Sequence, residues 1–170
     1  MLPAGRLREA WTAVKPDHIG VVLSGDPATA PEVPKWFRAG KVFRAFREEP
    51  AILDPGGGPV DPGAAGDAAV VILSGIARPA GFEATCARAG LKAVASVRAP
   101  DHHWYDEDDV ALMRGLMAQY GCERIVTTEK DLVKLPEALR ERAWTVRSDV
   151  ALAEPEAFWR EIRARLRERG

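Results

Sequence analysis

The chain has 170 residues, 46% of them hydrophobic and 29% charged. That is the balance of a globular protein long enough to bury a core. Lysine and arginine total 24 against 25 aspartates and glutamates, a formal charge of −1, which excludes a field gathering nucleic acid over the whole surface. No apolar run approaches the roughly 20 residues that span a bilayer, and the opening MLPAGRLREAW has no signal-peptide core.

In chain order, Ile19 to Leu23 (IGVVL) is the first strand, ended by Ser24-Gly25-Asp26-Pro27, and Lys41 to Phe46 is a second extended piece. Pro31 and Pro34 keep the segment between them out of a long helix. Residues 48–67 are rich in glycine and proline, with one apolar island at Ala51 to Leu53; they read as a linker or loose hairpin. Ala68 to Leu73 (AAVVIL) is a continuous apolar run, as in a parallel strand covered on both faces. Phe82 to Ala89 is a short helix closed by Gly90, and Lys92 to Arg98 is a strand. Asp106 to Tyr120 is a helix with Val110, Met113, Met117 and Tyr120 on one face, capped by Asp106 and stopped by Gly121. Arg124 to Thr127 is a strand, and Leu132 to Leu139 a helical piece interrupted at Pro136. Ala143 to Val146 and Asp149 to Leu152 read as strands. Pro155 to Arg169 is a closing helix with Phe158, Trp159, Ile162 and Leu166 turned inward. The alternation of strand and helix predicts an α/β fold, an open and mostly parallel sheet with helices on both faces.

In such a sheet, ligands bind beyond the carboxyl ends of the strands. Four polar turns leave those ends: Ser24-Gly25-Asp26, Ser74 to Pro79, Pro100 to His103, and Thr127 to Asp131. Each also has a plain structural reading. Ser74-Gly75 serves as a tight turn, Thr128 with Asp131 fits a helix capping box, and Asp101-His102-His103 fits a loop that satisfies its own backbone. A metal site in the DHH stretch would need carboxylates from other turns, such as Asp26 or Asp131. It is disfavoured further because adjacent side chains on extended backbone diverge. Cys86 and Cys122 form neither C-x-x-C nor a Cys/His cluster, which argues against zinc and a disulfide and suits a reducing cytoplasm. There is no G-x-x-x-x-G-K-[ST], G-x-S-x-G or G-x-G-x-x-G, so these residues alone supply no complete catalytic set.

Taken together, SGIARP, PDHHWY and VTTEKDLVKL, in that order and spacing, resemble the C-terminal domain of tetraacyldisaccharide 4'-kinases of lipid A synthesis. LPAGRLREAW resembles that family's opening segment of the same region, with Arg6 and Ala10 in place of prolines. The resemblance implies a Rossmann-like part of a P-loop kinase that moves the γ-phosphate of ATP, with magnesium, to the 4'-hydroxyl of an acylated glucosamine disaccharide 1-phosphate. Residues 1–47 would be the tail of the nucleotide-binding domain, 48–67 the linker, and 68–170 the C-terminal α/β domain. The P-loop and magnesium carboxylates precede the matched region in the family, so no cofactor is expected on this chain alone.

By the same resemblance, His102 would face the cleft and support a catalytic aspartate of the nucleotide domain, with Asp101 fixing the loop or the histidine tautomer. An imidazole suits that task because it orients a carboxylate and tunes its basicity. His103, Ser74, Gly75, Arg78 and Lys130 are candidate substrate-binding residues; Thr128, Glu129 and Asp131 are structural or of unassigned role. The implied location is the cytoplasm, at the cytoplasmic face of the inner membrane. The closing helix, with Arg160, Arg163, Arg165, Arg167 and Arg169, either lies on anionic lipid or is a solvated end whose arginines suit the helix dipole. Two further readings stay open. One is a non-catalytic module pairing with a separately encoded nucleotide-binding partner; the other is a metal-dependent DHH-type phosphoesterase.

Overall fold

The computed structural model describes residues 14–24 and 40–168. The chain divides into two compact units, residues 49–149 and residues 1–48 with 150–170.

Unit 49–149 is built on a five-stranded sheet. Its strands are β3 (Ala51–Leu53), β4 (Ala69–Ser74), β5 (Lys92–Arg98), β6 (Arg124–Thr127) and β7 (Ala143–Arg147), in the spatial order β3-β7-β6-β4-β5. All neighbours are parallel except β3, which runs antiparallel to β7 with Ala51 opposite Arg147. The four parallel strands therefore end on one edge. β4 is buried along nearly its whole length, which explains its continuous apolar run: each face carries its own core. Val70, Ile72, Val126, Trp144 and Val146 pack on one side with Phe82 and Cys86 of α2 (Pro79–Arg88) and Ala65 of α1 (Pro62–Asp67). Val71, Leu73, Ile125 and Ala143 pack on the other with Met113 and Met117 of α3 (Glu107–Tyr120), and with Leu135 and Leu139. Two short helices, α4 (Glu129–Leu132) and α5 (Glu137–Arg140), flank Pro136.

From β4 the chain crosses through α2 to β5 on one side, then returns through α3 to β6 on the other. The strand order thus reverses between the adjacent carboxyl ends of β4 and β6. That crevice is where ligands bind in open α/β sheets.

The other unit contains a three-stranded sheet, β1 (Ile19–Ser24), β2 (Lys41–Arg47) and β8 (Val150–Leu152), with β1 and β2 parallel and β8 antiparallel to β2. Helix α6 (Pro155–Glu168) belongs to it, and Phe158 meets Phe43 edge to face at 5.2 Å.

The α/β class and the sheet with helices on both faces agree with the sequence reading. Within residues 48–67, Ala51–Leu53 pairs with β7, Leu53 bridges back to Pro59 as in a short hairpin, and Asp61 caps α1 by accepting the N–H of Ala64 at 3.0 Å. The closing helix groups with the N-terminal residues, because β8 leaves the larger sheet to join β2. Trp159 and Leu166 are not turned inward; they are 52% and 66% exposed. Helix α2 begins three residues before Phe82, at Pro79, whose fixed φ suits the first helical position.

Candidate active-site rim

Three of the four polar turns lie in unit 49–149 and meet at the carboxyl edge of its sheet. The fourth expected turn leaves β1; its Gly25 and Asp26 lie outside the described residues.

The centre of the rim is Asp131, fully buried at the switch between β4 and β6. Thr128 caps α4 by accepting the Asp131 N–H at 3.1 Å, and its hydroxyl donates to Asp131 Oδ2 at 2.8 Å. The main-chain N–H of Gly75 donates to the same oxygen at 2.9 Å, and Lys134 Nζ reaches Oδ1 at 2.9 Å. Burial works against the charge on Asp131, but Lys134, the Gly75 N–H and Thr128 outweigh it and hold the carboxyl below its ordinary range. Thr128 and Asp131 are therefore framework: they tie the turn after β6 to the turn after β4. Glu129 is exposed on α4 and stands outside that network.

Gly75 is required by crowding. A Cβ there would lie 2.9 Å from Tyr105 Oη, 3.2 Å from Pro100 O and 3.3 Å from Asp131 Oδ1. The loop after β5 thus closes over Gly75. Burial, with the Asp131 and Asp109 carboxylates adding to it, pushes the Tyr105 phenol upward, so it stays protonated.

That loop presents the histidines. The N–H of His103 donates to Pro100 O at 3.1 Å and closes a four-residue turn. His102 occupies its third position with φ 65°, the only non-glycine residue at positive φ among those described. This position ordinarily takes glycine or asparagine. The consequence is outward projection: the His102 side chain is 77% exposed, with Nε2 3.8 Å from Asp101 Oδ2. Lys130 Nζ lies 3.2 Å from Asp101 Oδ1, so the turn after β6 also braces the loop after β5. Lys130 holds the Asp101 carboxyl below the usual range, with His102 contributing. Lys130, a candidate substrate-binding residue, is engaged with Asp101 here.

His103 points elsewhere. Its Nε2 lies 2.8 Å from Asp109 Oδ2, and its ring meets Tyr105 edge to face at 5.0 Å. Asp109 also accepts the N–H of Asp106 at 3.0 Å, completing a capping box at the start of α3. His103 thus latches the loop to the helix. Burial opposes the charge on Asp109, but the Asp106 N–H and the His103 ring prevail and lower its pKa. Among the described residues no group of three His, Cys, Asp or Glu side chains could hold a metal ion.

Ser74 Oγ, Thr127 Oγ1 and Tyr105 Oη are buried without a partner, all at this edge. Arg78 is exposed at the N-cap of α2. Trp104, two residues after His102, is 76% exposed. Sequence reading did not single out Trp104, Tyr105, Asp109 or Lys134. The aromatic pair WY just after the turn was the available signal.

Fold and rim place the chain in a class first: a doubly wound α/β protein with its ligand edge at the strand carboxyl ends. A crystal structure of LpxK from Aquifex aeolicus in complex with ATP superposes with a TM-score of 0.63 over 96% of this chain and 47% of that one, at 23% identity, a likeness of fold. The model of the tetraacyldisaccharide-1-P 4'-kinase family matches residues 1–167, and the chain belongs to that family. The tetraacyldisaccharide 4'-kinase of Phenylobacterium zucineum is 35% identical over 87% of this chain and 43% of its own length. That of Rhodospirillum rubrum is 34% identical over 92% of this chain and 45% of its own length. The chain spans less than half the length of these curated relatives.

Proposed function

We propose that this chain is the acceptor-side portion of a kinase that transfers the γ-phosphate of ATP to the 4'-hydroxyl of a tetraacylated glucosamine disaccharide 1-phosphate in lipid A synthesis. The observation that carries this is the family match across residues 1–167. The rim supports it, with an exposed imidazole held outward by a strained turn that the Lys130–Asp101 and His103–Asp109 contacts brace.

In this reading His102 is a positioning residue. It meets a carboxylate of the nucleotide-binding half, orients it toward the acceptor hydroxyl and tunes its basicity. Asp101, fixed by Lys130, keeps the imidazole orientation. Trp104 offers a flat apolar face to a sugar ring beside the histidine. ATP and magnesium supply the transferred phosphoryl group and its charge neutralisation. The described residues do not fit that pair: there is no metal-binding cluster, and the sequence has no P-loop lysine. The nucleotide therefore belongs to the other half. Residues 1–48 with 150–170 are assigned to the junction with that half, and residues 49–149 to the acceptor domain.

Coverage of 43% of the Phenylobacterium relative favours a requirement for a second portion, whether continuous with this chain or separately encoded. The test adds the part of that relative which this chain does not match, first fused and then as a separate polypeptide, and measures phosphorylation of the disaccharide acceptor. Turnover with the added part and none without it is expected. Turnover by the chain alone, or none from a folded fusion, overturns the reading. Peripheral membrane contact belongs to the same proposal, through the exposed Trp159 and Leu166 beside Arg160, Arg163 and Arg167 on α6.

A further inference from the structure

The acceptor named in the family description carries a phosphate at position 1, and a phosphate monoester needs a seat. Helix α2 spans ten residues and starts without any side-chain cap. Its first position is Pro79, which has no N–H, and Gly81 N–H turns back to Arg78 O at 3.2 Å. The N–H groups of Ala77, Arg78 and Ala80 make no hydrogen bond outside the helix ladder to any described residue. These donors sit where the helix dipole favours an anion. Arg78, exposed at the N-cap, has no ion pair among the described residues.

A second observation points the same way. Ser74 is completely buried and its Oγ has no partner. It continues the alternation of Val70 and Ile72, the residues of β4 that pack against Phe82 and Cys86 of α2. Its hydroxyl therefore lies on the α2 side of the sheet, at the strand end from which the turn to α2 departs. A buried hydroxyl without a partner costs stability, and an acceptor arriving at this turn would satisfy it. Nearby acids do not compete. Glu83 is occupied by Arg98 at 2.7 and 2.8 Å, and Asp131, bonded to the Gly75 N–H, is matched by Lys134.

We propose that the first turn of α2, with Arg78 and Ser74, seats the 1-phosphate of the acceptor disaccharide, leaving its far sugar to His102. This rests on the kinase reading for the identity of the ligand, while the seat itself is a phosphate-monoester site on this chain.

The experiment titrates the isotope-labelled chain with α-D-glucosamine 1-phosphate, with glucosamine, and with magnesium ATP, following the main-chain amides. Glucosamine 1-phosphate is expected to shift the amides of Ala77, Arg78 and Ala80 saturably, and glucosamine to leave them in place. Arg78→Ala should weaken binding about 10- to 100-fold, as for loss of a charge-assisted hydrogen bond. Ser74→Ala should weaken it by up to about tenfold while leaving the fold at least as stable, a combination that a purely structural serine does not give. Shifts centred on Lys130 that survive Arg78→Ala overturn the seat, as does ATP moving these amides when the sugar phosphate does not. Phosphorylation by the fused enzyme with no shift at these amides sinks the seat alone. Saturable shifts at these amides with no phosphorylation uphold the seat and sink the kinase reading alone.

Discussion

Asp131 and Gly75 stand 56 residues apart in sequence, yet the buried carboxylate of one receives the main-chain N–H of the other at 2.9 Å. That bond closes the switch crevice from beneath and fixes the height of two rim turns at once.

Asp131→Ala should cost about 3 kcal/mol or more, because it strands Lys134 in a largely buried position and leaves the Gly75 N–H unpaired. Urea unfolding at neutral pH measures it. The pH dependence has a definite sign. The folded pKa of Asp131 is depressed, so its contribution is present above the ordinary aspartate pKa of about 4 and is lost as pH falls through the lower folded value. Asp131→Asn should flatten that acid limb; an unchanged limb would mean the carboxylate contributes nothing there.

Gly75→Ala should destabilise by about 1–3 kcal/mol through overpacking, given the 2.9 Å approach to Tyr105 Oη and 3.2 Å to Pro100 O. Tyr105→Phe alone should cost little, since its hydroxyl has no partner. In the double variant, Tyr105→Phe should return part of the loss. Additive costs in thermal unfolding would contradict the predicted collision.

His102 separates stability from turnover. An L-residue in the left-handed region costs about 1–2 kcal/mol, so His102→Gly should leave stability within about 1 kcal/mol of the parent or above it, after glycine's own entropic cost. In the fused kinase, His102→Ala should lower kcat by about 100-fold, within the range for losing general acid–base assistance. Unchanged kcat removes the imidazole from the proposed mechanism.

Both cysteines are buried and unpaired with each other. Burial pushes the Cys86 thiol up to about 12 and raises that of Cys122. Since the thiolate is the reactive form, neither should react with a disulfide reagent in the native protein, and both should react in denaturant. Rapid native labelling of Cys86 would show that the α2 face of the sheet opens.

Much of this architecture was legible because the signals were local. Lys92–Arg98 and Arg124–Thr127 are bounded by turns at both ends, and α3 carries its cap at Asp106 and its left-handed stop at Gly121. What escaped was non-local. Ala51–Leu53 is three residues long and becomes a strand only because β7, nearly a hundred residues later, pairs with it. Trp159 and Leu166 fit an inward stripe by spacing, yet burial depends on the width of the opposing sheet. At the rim, Thr128-x-x-Asp131 announced a capping box, while the reach of Asp131 to Gly75 and Lys134 could not be read from any window. His102 and His103 are adjacent in sequence, and the left-handed backbone of His102 sends the two rings to different surroundings.

The antiparallel pairing of Ala51 with Arg147 has an architectural consequence. The polypeptide enters and leaves residues 49–149 through neighbouring strands, so both doorways of that unit are side by side. Such a cassette can be exchanged between homologues through two adjacent splice points without rerouting the host chain.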